Sequence, residues 1–280
     1  MADVPARLES SSSANYAGKV ISADGTPIAF WRSGHGPALL LVHGGICDHM
    51  AWHYVVPLLA RSFTVFAYDR RGRGQSGDRP PYSIDREVED IQALLGAIGS
   101  PTVLIGHSAG AIIALRAAPA CSIAALVVYE PPYILDGARP RPDPGILETM
   151  ELLLAQGNRE EVLRIAMSET VGVTDEQFEA VRSGHGWPHL LAVAQAVPHD
   201  WKAWDEPFDP IRLSAIHVPT LVLVGEQSPA WMIVGADAVH SAIAGATRSI
   251  LAGQEHFAML TAPELLSNAI TDFLRDRVRC

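Results

Sequence analysis

The stretch TVLIGHSAG, residues 102–110, decides the fold, because it runs from an apolar strand through a tight turn into small residues. Glycines two residues before and two after Ser108 leave room for a sharp strand-to-helix reversal that holds the serine in a strained conformation. A helix that begins at Ala109 places free N–H groups and the positive end of its dipole near Ser108. We therefore predict that Ser108 is a nucleophile at the C-terminal edge of a parallel sheet, rather than an idle serine in a glycine turn.

A second glycine-containing turn follows the apolar run 38–42, where the chain reads His43-Gly44-Gly45. Glycines just past a strand let the backbone approach a ligand closely. An acyl-transfer enzyme needs two N–H donors directed at the oxyanion. We assign these donors to the backbone of Gly45 and Ala109, and we interpret His43 as a structural residue that fixes the loop by hydrogen bonds.

Short apolar runs alternate with longer amphipathic stretches, which is typical of βα units and a mostly parallel sheet. Asp24-Gly25 predicts a hairpin near the start. Ser83 is expected to cap one helix, and Thr261 with Glu264 matches the capping box of a final helix. Strands are predicted at 19–22, 26–32, 38–42, 64–68, 102–105, 124–129, 220–224 and 248–251.

The alternation stops between residues 131 and 213, where no strand signal is present. Asn158, Thr174 and Asp200 are interpreted as helix starts in this stretch, so we predict an inserted helical subdomain. The expected organisation is a flexible segment at 1–18, a core at 19–131 and 214–280, and a helical cap at 132–213.

The composition limits the partners of this 280-residue chain, of which 48% is hydrophobic. Twenty-one Lys and Arg against 31 Asp and Glu give a net charge of −10, which argues against nucleic acid and anionic membranes as partners. Cys47, Cys121 and Cys280 are widely spaced and odd in number, which favours neither a disulfide framework nor a metal site. We see no apolar leader and no run of bilayer length, so we expect a soluble, cytoplasmic protein.

Several segments together resemble the α/β-hydrolase superfamily over residues 38–274. They are His43-Gly44-Gly45, DRRGRGQS at 69–76, the elbow around Ser108, and GQEH at 253–256. The resemblance implies an α/β-hydrolase fold, with a mostly parallel eight-stranded sheet, helices on both faces and a helical cap after the sixth strand. It also implies that the segment at 69–76 is a structural turn.

His256 is the expected general base. It lies on the loop between the last predicted strand and the final helix, and it matches the Gly-x-x-His pattern of the family. The other histidines do not lie in that loop, and the position relative to nucleophile and acid decides this role.

The acid that orients the base departs from the commonest family arrangement. The family usually places an aspartate in the turn after the seventh strand, but Ser228 occupies that position and cannot stabilise an imidazolium by charge. We choose Glu130, at the end of the sixth strand, a position from which some members similar to haloalkane dehalogenases and certain lactonases draw their acid. Glu226 remains the alternative, although it lies two residues from the expected position.

These residues imply a serine hydrolase that cleaves a carboxylic ester or lactone of a medium-sized, partly hydrophobic small molecule through an acyl-enzyme on Ser108. We expect no metal and no organic cofactor, and a monomer or homodimer. A C–C bond hydrolase, a hydroxynitrile-lyase-like enzyme and a non-catalytic small-molecule receptor are the alternatives on this fold. Tyr133, Trp187 and Trp201 are candidate substrate contacts, although each could instead pack the cap onto the core.

Overall fold

The computed structural model describes residues 15–275 and residue 277. Its sheet has eight strands in the order β1-β2-β4-β3-β5-β6-β7-β8. The strands β1 and β2 and the strands β2 and β4 pair antiparallel, and all other pairs are parallel. The strands are β1 (Asn15–Ile21), β2 (Pro27–Ser33), β3 (Ala38–Val42), β4 (Thr64–Tyr68), β5 (Thr102–His107), β6 (Ala125–Tyr129), β7 (Thr220–Gly225) and β8 (Thr247–Leu251). The predicted mostly parallel eight-stranded sheet is confirmed.

Helices lie between these strands. Most of the helices are amphipathic or apolar, and they lie where the sequence predicts them. Helices α4 to α9 all lie between β6 and β7, where the sequence lacks strand signals. The helices are α1 (Val56–Leu59), α2 (Ile84–Ile98), α3 (Ala109–Ala117), α4 (Ile146–Ala155), α5 (Arg159–Val171), α6 (Asp175–Arg182), α7 (Trp187–Val193), α8 (Val197–Trp204), α9 (Pro210–Ser214), α10 (Ala230–Ala242), α11 (Ala258–Thr261) and α12 (Pro263–Leu274).

The hairpin at Asp24 is confirmed, because β1 pairs with β2 and the Asp24 carboxylate accepts the Thr26 N–H at 2.9 Å. The prediction that residues 15–18 are flexible is wrong, since they begin β1. Tyr16 packs edge-on against Trp31 across the pair, with ring centroids 5.7 Å apart. This stretch is polar and mostly exposed, so its pairing does not show as an apolar alternation. Residues 1–14 and Cys280 lie outside the described residues.

Three helix-start predictions need correction in detail. Ser83 is the residue before α2 but its side chain makes no capping hydrogen bond. Thr261 ends α11 instead of capping α12, because its hydroxyl bonds to the Gln254 side chain and the Phe257 carbonyl. Asp200 lies inside α8, which begins at Val197. By contrast, Asn158 and Thr174 cap α5 and α6, and Thr174 forms the full capping box.

The apolar side chains of the central strands alternate between the two faces of the sheet. Leu40, Leu104 and Val128 belong to the cluster on one face, whereas Leu41 and Ile105 belong to the cluster on the other. The first cluster also contains buried residues of α4, α5, α6 and α8, so the inserted helices share a core with that face. The carboxyl ends of β3, β5, β6 and β7 meet at one edge, where the loops that carry the site begin.

Across the described part of the chain, no helix has both the length and the apolar character that a membrane crossing requires.

Candidate active site

Ser108 occupies the sharp turn between β5 and α3 with φ 54° and ψ −126°. A non-glycine residue rarely adopts a positive φ, so the packing around the turn must hold it. A Cβ added at Gly106 would lie 2.5 Å from the Gly110 carbonyl oxygen, and one added at Gly110 would lie 2.4 Å from the backbone oxygens of Val42 and His43. The two glycines are therefore required for the close approach of strand and helix around Ser108.

Three side chains from different segments form one hydrogen-bonded chain. His256 Nε2 lies 3.0 Å from Ser108 Oγ, and His256 Nδ1 lies 2.6 Å from Glu130 Oε2. Glu130 is fully buried and His256 is nearly so. Because the carboxylate can only accept, Nδ1 carries the proton and Nε2 is free to accept from the serine hydroxyl. This is the geometry that an activated serine requires.

The second carboxylate oxygen of Glu130 is also bound. It accepts the Gly225 N–H at 2.7 Å and a hydrogen bond from the Ser228 hydroxyl. Ser228, which stands where the family usually has its aspartate, therefore supports a carboxylate that reaches the site from β6. Glu226 points elsewhere, since its Oε2 accepts the Gly253 N–H at 2.7 Å on the exposed surface. The structure brings Glu130, and not Glu226, to His256.

Two backbone N–H groups remain available beside Ser108. Ala109 is the first residue of α3, so its N–H has no acceptor within the helix. Within residues 15–275, no protein atom accepts a hydrogen bond from the N–H of Gly45 or Ala109. A Cβ added at Gly44 would lie 3.1 Å from Ser108 Cβ, so the Gly44-Gly45 loop passes directly against the serine. Together with the α3 dipole, these donors can stabilise negative charge near Ser108.

His43 makes the contacts expected of a structural residue. Its Nδ1–H donates to the Gly44 carbonyl at 2.9 Å, and its Nε2 accepts the Arg70 N–H at 3.2 Å. Complete burial, with Arg73 and Arg70 nearby, holds the pKa of His43 well below its usual value, so the ring is neutral.

The segment at 69–76 is a structural turn, as the family resemblance implies. Asp69 accepts the Gln75 N–H at 2.7 Å, and Ser76 donates to the Asp69 carbonyl at 2.6 Å. Among the described residues, only the Asp48, His49 and Asp69 side chains are grouped closely enough to suggest metal ligation. His49 Nδ1 and Asp69 Oδ1 are already paired at 2.6 Å, so this cluster is explained by the turn.

A cavity of about 240 Å³ is lined by the segment after β6 and by α8. Tyr133 and Trp201 lie in its wall, together with Trp204 and Phe208. Trp187 does not line it and packs edge-on against Phe178 within the insertion, with ring centroids 5.6 Å apart. Neither Ser108 nor His256 lines this cavity.

Two residues of the site are not identified from the sequence. His107 Nε2–H donates to the His256 carbonyl at 2.9 Å, and burial lowers the pKa of His107 well below its usual value. Asp200 binds the loop that contains Gly45, as described below. His107 adjoins the predicted nucleophile, which is a usable signal, whereas nothing in the sequence connects Asp200 with a loop more than 150 residues earlier.

Comparisons with known proteins identify the family that this chain resembles. An alpha/beta hydrolase from Sphaerobacter thermophilus is 38% identical, with a TM-score of 0.85 over 91% of this chain and 99% of that one. Lipase LipV of Mycobacterium tuberculosis is 29% identical over 70% of this chain and 77% of its own length. The protein named probable oxidoreductase EphD, from the same bacterium, is 37% identical over 33% of this chain. The matched part covers only 17% of the length of that relative.

A model of the alpha/beta hydrolase family matches residues 39–269, which include Ser108, Glu130 and His256. This match covers most of the sequence and both parts of the sheet that flank the inserted helices. The chain therefore belongs to the alpha/beta hydrolase family.

Proposed function

We propose that the protein is a serine hydrolase that cleaves a carboxylic ester or lactone through an acyl-enzyme on Ser108. The observation that carries this proposal is the continuous hydrogen-bonded chain from Ser108 through His256 to Glu130, next to two N–H groups that find no acceptor among the described residues. A serine, a base, an oriented acid and an oxyanion site are the groups that acyl transfer requires.

The reaction proceeds in two steps that use the same groups. Ser108 Oγ attacks the ester carbonyl while His256 Nε2 accepts the hydroxyl proton, and Glu130 stabilises the imidazolium that forms. The N–H groups of Gly45 and Ala109 stabilise the tetrahedral oxyanion. His256 then donates its proton to the leaving alkoxide. In the second step it activates water, which releases the acid and restores Ser108.

The inserted segment 132–213 is proposed as a cap that shapes the substrate site. Tyr133 and Trp201 are retained as candidate substrate contacts because they line a cavity. Trp187 is not retained, since its ring is occupied by packing against Phe178. The wall of this cavity combines aromatic with charged side chains and includes neither Ser108 nor His256. A medium-sized, partly hydrophobic small molecule is therefore proposed as the substrate from the apolar residues of the inserted segment, and not from the cavity. A cytoplasmic monomer or homodimer is part of the same proposal.

A fluorophosphonate probe tests the activated serine directly, with the adduct located by mass spectrometry. We expect labelling of Ser108 in the wild type and none in Ser108→Ala. Labelling and hydrolysis of p-nitrophenyl esters should slow by up to about 10⁴-fold in Glu130→Gln. The matched control Glu226→Gln should behave as the wild type, because that carboxylate binds only the Gly253 N–H near the surface.

Each alternative gives a different result. Slowing in Glu226→Gln alone would move the acid back to the turn after β7. An unlabelled wild type would overturn the proposal. Binding of small ligands without turnover would then favour a receptor, and cleavage of a hydroxynitrile without an acyl-enzyme would favour a lyase.

A further inference from the structure

A buried carboxylate on the inserted helix α8 contacts the loop that contains Gly45. Asp200 is 8% exposed. Its Oδ2 accepts the Ile46 N–H at 2.9 Å, and its Oδ1 accepts from Arg70 Nη1 at 2.8 Å and Arg73 Nη1 at 3.1 Å. Burial raises the pKa of Asp200, but Arg73 and Arg70 outweigh it and hold the pKa below its usual value. The side chain is therefore a carboxylate at neutral pH.

Arg70, which Asp200 and Glu87 hold together, is one of the groups that fix the direction of the Gly45 N–H. Arg70 Nη1 donates to the Gly44 carbonyl at 3.1 Å, and His43 Nδ1 donates to it at 2.9 Å. In a trans peptide the carbonyl and the N–H point in opposite directions. Fixing the Gly44 carbonyl therefore fixes the Gly45 N–H. A cationic donor on the carbonyl also polarises the peptide group, which makes its N–H a stronger donor.

The backbone after Gly45 is strained and held by the same carboxylate. Ile46 has φ 53°, a conformation that a β-branched residue rarely adopts. Its N–H is bound by Asp200, which restrains this conformation. A Cβ added at Gly45 would lie 3.2 Å from Asp200 Cγ and Oδ2, so the loop passes tightly against the carboxylate.

We propose that Asp200 is a positioning residue that, together with Arg70, holds the Gly44–Gly45 peptide so that the Gly45 N–H faces the oxyanion. The inference rests on the proposed serine hydrolase function. It also gives the inserted helices a second role, because α8 then completes the oxyanion site as well as covering it. Loss of Asp200 should reduce transition-state stabilisation more than substrate binding.

The test compares two buried carboxylates that each pair with an arginine of the same segment. Asp90 accepts from Arg71 Nε at 2.8 Å and from Arg71 Nη2 at 2.7 Å, and both side chains are fully buried. The remaining hydrogen bonds of Arg71 go to the Asp24 carboxylate and the Arg86 carbonyl, away from the Gly45 loop. Asp90→Asn therefore removes an equivalent charge without touching the oxyanion site.

For a p-nitrophenyl ester we expect Asp200→Asn to lower kcat by about 10- to 100-fold with KM within about threefold. Asp90→Asn should keep kcat within about twofold, even if both variants melt at a lower temperature. A second measurement is the inhibition constant of phenylboronic acid, whose tetrahedral serine adduct places a hydroxyl at the oxyanion position. It should rise at least about tenfold in Asp200→Asn alone.

Wild-type kcat and boronate affinity in Asp200→Asn would overturn the inference, and so would an equal loss in Asp90→Asn. If Asp200→Asn does not fold, Arg70→Lys replaces it, because the single nitrogen of lysine cannot donate to the Gly44 carbonyl while it also pairs with Glu87 and Asp200. Wild-type kcat in Arg70→Lys would then contradict the inference. A wild type that neither hydrolyses esters nor labels at Ser108 would refute the proposed function as well.

Discussion

At the scale of single residues, the acid at the end of β6 and the serine after β7 act as a pair. Glu130 shares its Oε1 between the Gly225 N–H and the Ser228 hydroxyl, while its Oε2 faces His256. The two positions from which this fold can supply an acid are therefore in direct contact. Ser228 keeps the unused position polar and neutral, so that only one carboxylate is buried beside His256.

This contact predicts that the acid can be moved from one strand to the other. Glu130→Gln should lower kcat by up to about 10⁴-fold, because the amide no longer stabilises the imidazolium. Adding Ser228→Asp to that variant should restore kcat by about tenfold or more, since it returns a carboxylate to the usual family position. Steady-state kinetics of the single and double variants measure this rescue.

The control is Ser228→Asp alone. It buries a second carboxylate against Glu130, and two like charges at this distance disfavour each other's ionised form. This variant should therefore be less active than the wild type. A double variant that is no faster than Glu130→Gln would show that position 228 cannot present a carboxylate to His256.

At the scale of elements, the strand–turn–helix unit around Ser108 depends on how closely α3 approaches β3. Gly110→Ala should destabilise the protein by about 1–3 kcal/mol or more, because the new methyl group would lie 2.4 Å from backbone oxygens that cannot move independently. Gly96→Ala is the matched control within α2, where an added Cβ meets nothing within 4 Å. It should stabilise the protein by about 0.5–1 kcal/mol, since alanine favours a helix over glycine.

Urea denaturation of the two glycine variants measures both changes in the free energy of unfolding. Equal stability of Gly110→Ala and the wild type would mean that α3 can shift away from β3 without cost. That result would contradict the tight packing from which we explain the strained backbone of Ser108.

At the scale of the whole molecule, the sequence predicts local structural patterns but not the contacts between residues that are far apart along the chain. The elbow around Ser108, the Gly44-Gly45 turn and the mostly parallel character of the sheet follow from strand–turn–helix patterns within a few residues. Glu130 could be predicted as the acid that orients His256, because the usual acid position after β7 is occupied by the uncharged Ser228. The contacts of Asp200 could not be predicted, because its partners lie on loops after β3 and β4. The sequence around Asp200 also matches a helix start, and that local interpretation gave no reason to expect distant partners.

Buried histidines next to the site predict how the stability of the whole protein depends on pH. Burial lowers the pKa of His43 and His107 well below the usual value, so the folded protein keeps both rings uncharged. The unfolded chain binds protons at these residues near pH 6.5. Their contribution to stability is therefore complete above about pH 6.5 and is lost as the pH falls. Asp90 opposes this, because burial raises its pKa to about 6 and the folded protein gains a proton there.

Burial lowers the pKa of His199 as well, so three histidines against Asp90 give a net loss of about 2–3 kcal/mol in the free energy of unfolding between pH 7 and pH 5.5. Urea denaturation at the two pH values measures it. His107→Gln should reduce the loss, because glutamine can still donate to the His256 carbonyl but does not titrate. Asp90→Asn should increase it, because asparagine gains no proton in the folded protein. A stability that is constant over this range in the wild type would mean that the buried histidines become protonated without unfolding, in conflict with their burial and hydrogen bonds.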